Sequence, residues 1–141
     1  MLRMAPTTDE SSAARPAARR WTACGAGAGV VVAGLAVHLL APDGFASDAA
    51  GDALYAVLIY LIVVFVAPRA PGWAAAGAAY AWCVAVELLQ LTGLPAAWGS
   101  AFRPSMLVFG TVFSVSDLVF YAAGVALAWA GDALVRRVLR R

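Results

Sequence analysis

Lysine is absent from this chain. All ten basic residues are arginine, and charged residues of either sign make up only 13% of its 141 positions. A formal net charge of +2 offers little to a polyphosphate backbone, so no nucleic-acid partner is expected. Cysteine is nearly absent too. Cys24 and Cys83 form no CxxC pair, and His38 is the single histidine, so neither a disulfide framework nor a zinc site is expected, and no metal or cofactor is implied. The apolar runs also lack the polar/apolar alternation of barrel strands.

What the chain has in abundance is apolar sequence: 63% hydrophobic residues and a mean hydropathy of +0.82. These values fall outside the range of soluble domains. Several runs approach the ~20 residues that cross the hydrocarbon as a helix, the spanning element that satisfies its own backbone. The expected fold is therefore all-α: an integral membrane four-helix bundle, with a short interfacial or re-entrant segment before the last helix.

Residues 1–20 mix Pro, Thr, Ser, acids and Arg without apolar periodicity and read as a disordered cytoplasmic tail. A four-span domain follows over 21–137, with spans at about 21–41, 52–67, 73–94 and 115–135. Residues 138–141 form a basic cytoplasmic tail. The first span is long for a signal sequence and is read as retained. Asp52 falls where a carboxylate caps the second span, with Tyr55 sharing its face. Pro68-Arg69-Ala70-Pro71-Gly72 makes a tight turn. In the third span Tyr80, Cys83, Glu87 and Gln90 recur at three- and four-residue steps, and Leu94-Pro95 ends it. Residues 96–105 read as a loop carrying Trp98 and Arg103. The stretch 106–113 is too short to span and is expected at the interface or re-entering. Ser114-Val115-Ser116-Asp117 is a capping pattern that opens the fourth span, on which Asp117, Tyr121, Gly124 and Ala128 share a stripe.

Four spans put both termini on one side together with nine of the ten arginines, leaving Arg103 on the other. An excess of arginine marks the cytoplasm, so the expected location is the plasma membrane with both termini inside. That arrangement gathers His38, Asp52, Glu87, Gln90, Arg103, Asp117 and Tyr121 in the outer half of the bundle. Ionisable groups at such depth usually face an interior or a wet cavity. Arg103 can neutralise Glu87 or Asp117, or clamp an anion with its planar fork.

The strings Gly51-Asp52-x-Leu54-Tyr55-Ala56-x-Leu58-Ile59-Tyr60, Val86-Glu87-x-x-Gln90-Leu91, Arg103, Gly110 to Phe113 and Ser116-Asp117-Leu118-x-x-Tyr121-x-x-Gly124 resemble a bacterial family of small four-helix membrane proteins. It is the domain-of-unknown-function family 2809, also called YjgA-like or ribosomal-maturation YjgA. The likeness runs from about Ala33 to Ala130 and brings no established activity. The Glu-x-x-Gln, Arg, Asp, Gly order is also similar to the VanZ-like family, linked to teicoplanin resistance, in which Asn usually stands where Tyr121 does here.

The candidate site is the polar cluster Asp52, Glu87, Gln90, Arg103, Asp117 and Tyr121, with His38 and Tyr55 secondary. The preferred reading is an envelope-facing binding or accessory protein rather than an enzyme, its partners membrane lipid and an anionic envelope ligand. The alternatives are a hydrolase or transferase acting on a lipid-linked envelope substrate, solute or proton movement through Glu87 and His38, and a polar network whose role is only to join helices. The oligomeric state has no signature.

Overall fold

The computed structural model describes residues 8–110 and 112–138, the first seven of these by their backbone alone. Six helices account for the described chain: α1 (Thr8–Leu40), α2 (Phe45–Val66), α3 (Gly72–Gln90), α4 (Leu94–Ala101), α5 (Ser105–Phe109) and α6 (Val115–Val138). Among the described residues there are no strands, and the all-α architecture follows the sequence expectation. Four segments are long and apolar enough to cross a membrane: Arg15–Leu40 within α1, and α2, α3 and α6 in full. Large apolar side chains such as Val32, Leu39, Val66, Val119 and Leu127 lie on their outer surfaces, exposed as a lipid-facing belt requires.

The helix bounds depart from the sequence reading at four places. The first helix starts at Thr8 rather than Trp21, so residues 8–20 are helical and only 1–7 of the expected tail lie outside the described residues. The reason is packing: buried Arg19 is fastened to α6 and to the α2–α3 turn, and the alanines around it favour helix. The second helix begins at Phe45, which leaves Asp52 two turns inside it instead of at its cap; Asp48 is the acid in the first turn. The third ends at Gln90, and Leu94–Ala101, expected as the end of that span and a loop, is a helix of its own. Gly93, at φ 73°, turns the corner, and Pro95 then sits in the first turn of α4, where its missing N–H costs nothing. A proline that bars one helix from continuing has opened the next. The last helix starts at Val115 as expected and runs three residues further, to Val138; the remaining tail residues 139–141 lie outside the described ones.

Helix α2 is the hub, packed by α1, α3 and α6. Its buried Ala56, Tyr60 and Val64 recur every four residues and meet Ala75, Ala79 and Cys83 of α3 and Tyr121 and Val125 of α6. Close approach of α2 and α6 depends on Gly124. A Cβ built there would fall on the Ala53 carbonyl oxygen and lie 3.0 Å from that residue's carbonyl carbon and Cα. Backbone cannot swing aside as a side chain can, so Gly124→Val is expected to destabilise the protein by about 1–3 kcal/mol in a detergent unfolding titration. The same change at Gly131, which meets nothing within 4 Å, is the control and should cost far less.

Candidate functional site

Two polar layers lie at opposite ends of this bundle. At the end holding the α2–α3 turn, Arg19 of α1 donates from Nε and Nη2 to the two carboxylate oxygens of Asp132 on α6, at 2.9 and 2.6 Å. Its Nη1 donates to the carbonyls of Pro68 and Ala70, at 2.8 and 2.6 Å. Tyr60 of α2 donates its hydroxyl to Asp132 at 2.7 Å, and Arg136 stands 3.5 Å from the same carboxylate. Arg19 and Asp132 are both buried. This fork-on-carboxylate geometry ties α1, the α2–α3 turn and α6 together. None of Arg19, Tyr60 and Asp132 was among the candidate site residues, although Tyr60 stands in one of the strings that carry the family resemblance. Arg19 looked like one more flanking charge; the signal available was Asp132, an acid four residues before Arg136 near the end of an apolar run.

The other end holds most of the expected cluster. Glu87 is fully buried, accepting the Tyr121 hydroxyl at 2.8 Å and the Ser114 backbone N–H at 3.2 Å. The second contact revises the local reading of the capping pattern. In a capping box the acid three residues into the helix would take the N–H of Ser114. Here Glu87 reaches across from α3 to take it, and Asp117 is left to accept only from Ser116 Oγ, at 3.3 Å. Asp52 of α2 and Asp117 of α6 both stand in the wall of the same cavity. Tyr55 accepts from Trp82 Nε1 at 3.0 Å and lays its ring 6.1 Å from that of Tyr121.

Gln90 fastens the short helix α5 over this end. Its Nε2 donates to the Phe109 carbonyl at 2.8 Å. Gly110 follows at φ 61° and ψ −165°, a conformation open in practice to glycine alone, and a Cβ there would lie 2.6 Å from Gln90 Nε2. Gln90 is 8% exposed, and its Oε1 is buried without a hydrogen-bond partner among the described residues. The amide cannot simply be turned round, because that would press Oε1 against the Phe109 carbonyl oxygen.

Between α1 and α6 these residues wall a cavity of about 910 Å³, within the size range of small-molecule sites. His38, Asp52, Tyr55, Gln90, Asp117 and Tyr121 line it, with Asp43 and Asp48 also contributing. Glu87 does not: its oxygens are committed to Tyr121 and Ser114. Arg103 lies exposed in the turn between α4 and α5, away from the cavity wall, and among the described residues it makes no ion pair with Glu87 or Asp117. Deeper down, Val30, Val31, Leu35, Leu58 and Val86 make an apolar wall. Among the described residues no set of three or more His, Cys, Asp and Glu side chains is disposed to hold a metal ion.

A family model described as protein of unknown function (DUF2809) matches residues 41–125, well over half of the chain. That stretch takes in α2 to α5 and the first half of α6, hence every candidate residue except His38. The match carries no activity, and it bears on neither the YjgA-like label nor the VanZ-like likeness. No curated protein and no solved structure matches the chain.

Proposed function

The chain belongs to the DUF2809 family, whose description assigns no activity, and from its own geometry we propose a multi-pass membrane binding protein that holds a ligand between α1 and α6. The observation that carries this reading is a cavity of about 910 Å³ that is polar at one end, where Asp52 and Asp117 stand in its wall, and apolar at the other. Joining helices is the role of Glu87, whose two oxygens each hold a donor; Asp52 and Asp117 keep capacity to spare.

In our reading both termini face the cytoplasm and the cavity opens toward the envelope side. The support is the arginine distribution, with one refinement. Buried Arg19 is spent on Asp132 and drops out of the flanking charge, which leaves eight arginines against Arg103 and the same direction of bias. Binding is preferred to catalysis because Glu87 is sealed by its two donors, and the pair of free carboxylates that acid–base chemistry needs is reduced to Asp52 and Asp117 on one wall.

Gly34 supplies the test. It lines the cavity, and a Cβ there meets nothing within 4 Å, so a side chain can start from this position toward the space, which Gly34→Phe is chosen to fill. Wild-type protein extracted in native lipid is expected to carry a near-stoichiometric lipid or lipid-like species by mass spectrometry, and Gly34→Phe to lose it. Equal retention by both proteins overturns the proposal.

A further inference from the structure

The arginine end of the bundle, opposite the cavity, carries more positive charge than its one carboxylate answers. We propose that this end holds the phosphate of an anionic phospholipid headgroup, taken by Arg136 and by the indole N–H of Trp129 beside the start of α3. The site is separate from the cavity, and the inference does not rest on what the cavity binds.

Trp129, Asp132 and Arg136 stand at three- and four-residue steps and so share one face of α6. Two guanidinium groups approach Asp132, but it serves only one of them. Arg19 takes both of its oxygens, at 2.9 and 2.6 Å, and Tyr60 donates to one of them as well. Arg136 reaches the same carboxylate from Nε alone, at 3.5 Å, and among the described residues its Nη1 and Nη2 donate to nothing. One carboxylate between two arginines leaves this layer with a positive charge uncompensated. Among the described side chains, the other acids lie at the opposite end of the bundle.

The place of that spare guanidinium points to an anion. Gly72 opens α3 and is buried; a Cβ built on it would fall on Arg136 Nη2 and lie 2.7 Å from Trp129 Nε1. The guanidinium and the indole nitrogen are therefore neighbours against the first turn of α3, and Trp129 Nε1 has no acceptor among the described residues. The N-terminal end of a helix is itself positive, so a cation is repelled from this position unless an anion accompanies it. An arginine fork with a second N–H beside it suits a phosphate group, and basic sites between membrane helices are where anionic headgroups are held.

The site is open to the lipid. The Arg136 side chain is 26% exposed, and Trp129 and Trp73 are exposed beside it, as indoles at headgroup depth are. Arg69, exposed in the α2–α3 turn, adds to the attraction without being needed as a contact.

The test is native mass spectrometry of the full-length protein in neutral maltoside detergent, titrated with phosphatidylglycerol and with phosphatidylcholine. The wild type is expected to take one phosphatidylglycerol about tenfold more tightly than phosphatidylcholine, whose ammonium cancels the headgroup charge. Arg136→Gln should lose about tenfold in phosphatidylglycerol affinity, and Trp129→Phe, which removes the N–H and keeps an aromatic ring, about fivefold. Gly72→Ala keeps every charge but puts a methyl group where the guanidinium lies, and should weaken binding as Arg136→Gln does. Arg137→Gln removes the same charge from the exposed neighbouring position and should change the affinity by less than about twofold. Equal losses in Arg136→Gln and Arg137→Gln would make the attraction diffuse and overturn the site, and so would equal binding of the two lipids. Displacement of phosphatidylglycerol by millimolar inorganic phosphate would overturn the lipid as occupant and assign the site to the free ion.

Discussion

Replacing Asp132 with alanine is expected to cost about 3–5 kcal/mol of stability, the range for removing one partner of a buried charge pair. What is left behind sets the cost. Arg19 keeps the Pro68 and Ala70 carbonyls but loses both bonds to the carboxylate, and its charge stays in a position only 5% exposed. Tyr60 loses the acceptor of its hydroxyl as well. Polar contacts between membrane helices usually measure about 0.6 kcal/mol, so a titration with a denaturing detergent separates the two cases cleanly. A loss near 0.6 kcal/mol would mean that water reaches Arg19 and that the pair is an ordinary contact. The double change Arg19→Leu with Asp132→Leu should cost less than Asp132→Ala alone, because no charge is stranded.

Glu87→Ala is expected to show the second largest loss, about 2–4 kcal/mol, from two donors deprived of one acceptor each. The Tyr121 hydroxyl carries the greater share because Tyr121 is buried; the Ser114 N–H is only partly so and can recruit water. Glu87→Gln retains one acceptor oxygen and should lose only about 1 kcal/mol. The contrast has a functional side. With Ser114 released by Glu87→Ala, Asp117 is free to take its N–H as an ordinary capping acid, which removes it from the cavity. Retention of the bound lipid is therefore expected to fall sharply in Glu87→Ala and to survive in Glu87→Gln. Unfolding titrations and mass spectrometry on the two variants check both halves; equal stability of Glu87→Ala and wild type would show that the carboxylate does not fasten α6 to α3.

Much of this was legible in the sequence because hydropathy and helical period are local properties. Four apolar runs, the stripe through Cys83, Glu87 and Gln90, and the start of α6 at Val115 all follow from residues a few positions apart. Asp52, Gln90, Asp117 and Tyr121 also meet at one end of the bundle, because alternate crossings leave them little choice. What could not be read was the choice among partners from distant elements. The pattern at Ser114 offered Asp117 as the acid for its N–H, and nothing nearby in sequence says that Glu87 takes it. The arginine distribution made Arg103 the single cation expected on its side, yet cations do not meet acids merely by being expected on one side: the turn between α4 and α5 holds it in the open. Arg19 shows the converse, since one arginine among several flanking ones is distinguished only by an acid 113 positions away. Helix α4 was hidden by Pro95, a residue that stops a helix from one direction and starts one from the other.

The central claim is that the acidic end of the bundle is a binding site and not simply a joint between helices. A crystal structure grown in a lipid mesophase from protein extracted in native lipid tests it most directly. Elongated density is predicted between α1 and α6, its polar end at Asp52 and Asp117 and its chain along Val30 and Leu35. A structure in which α1 has closed onto α6 and no such density is present would contradict it.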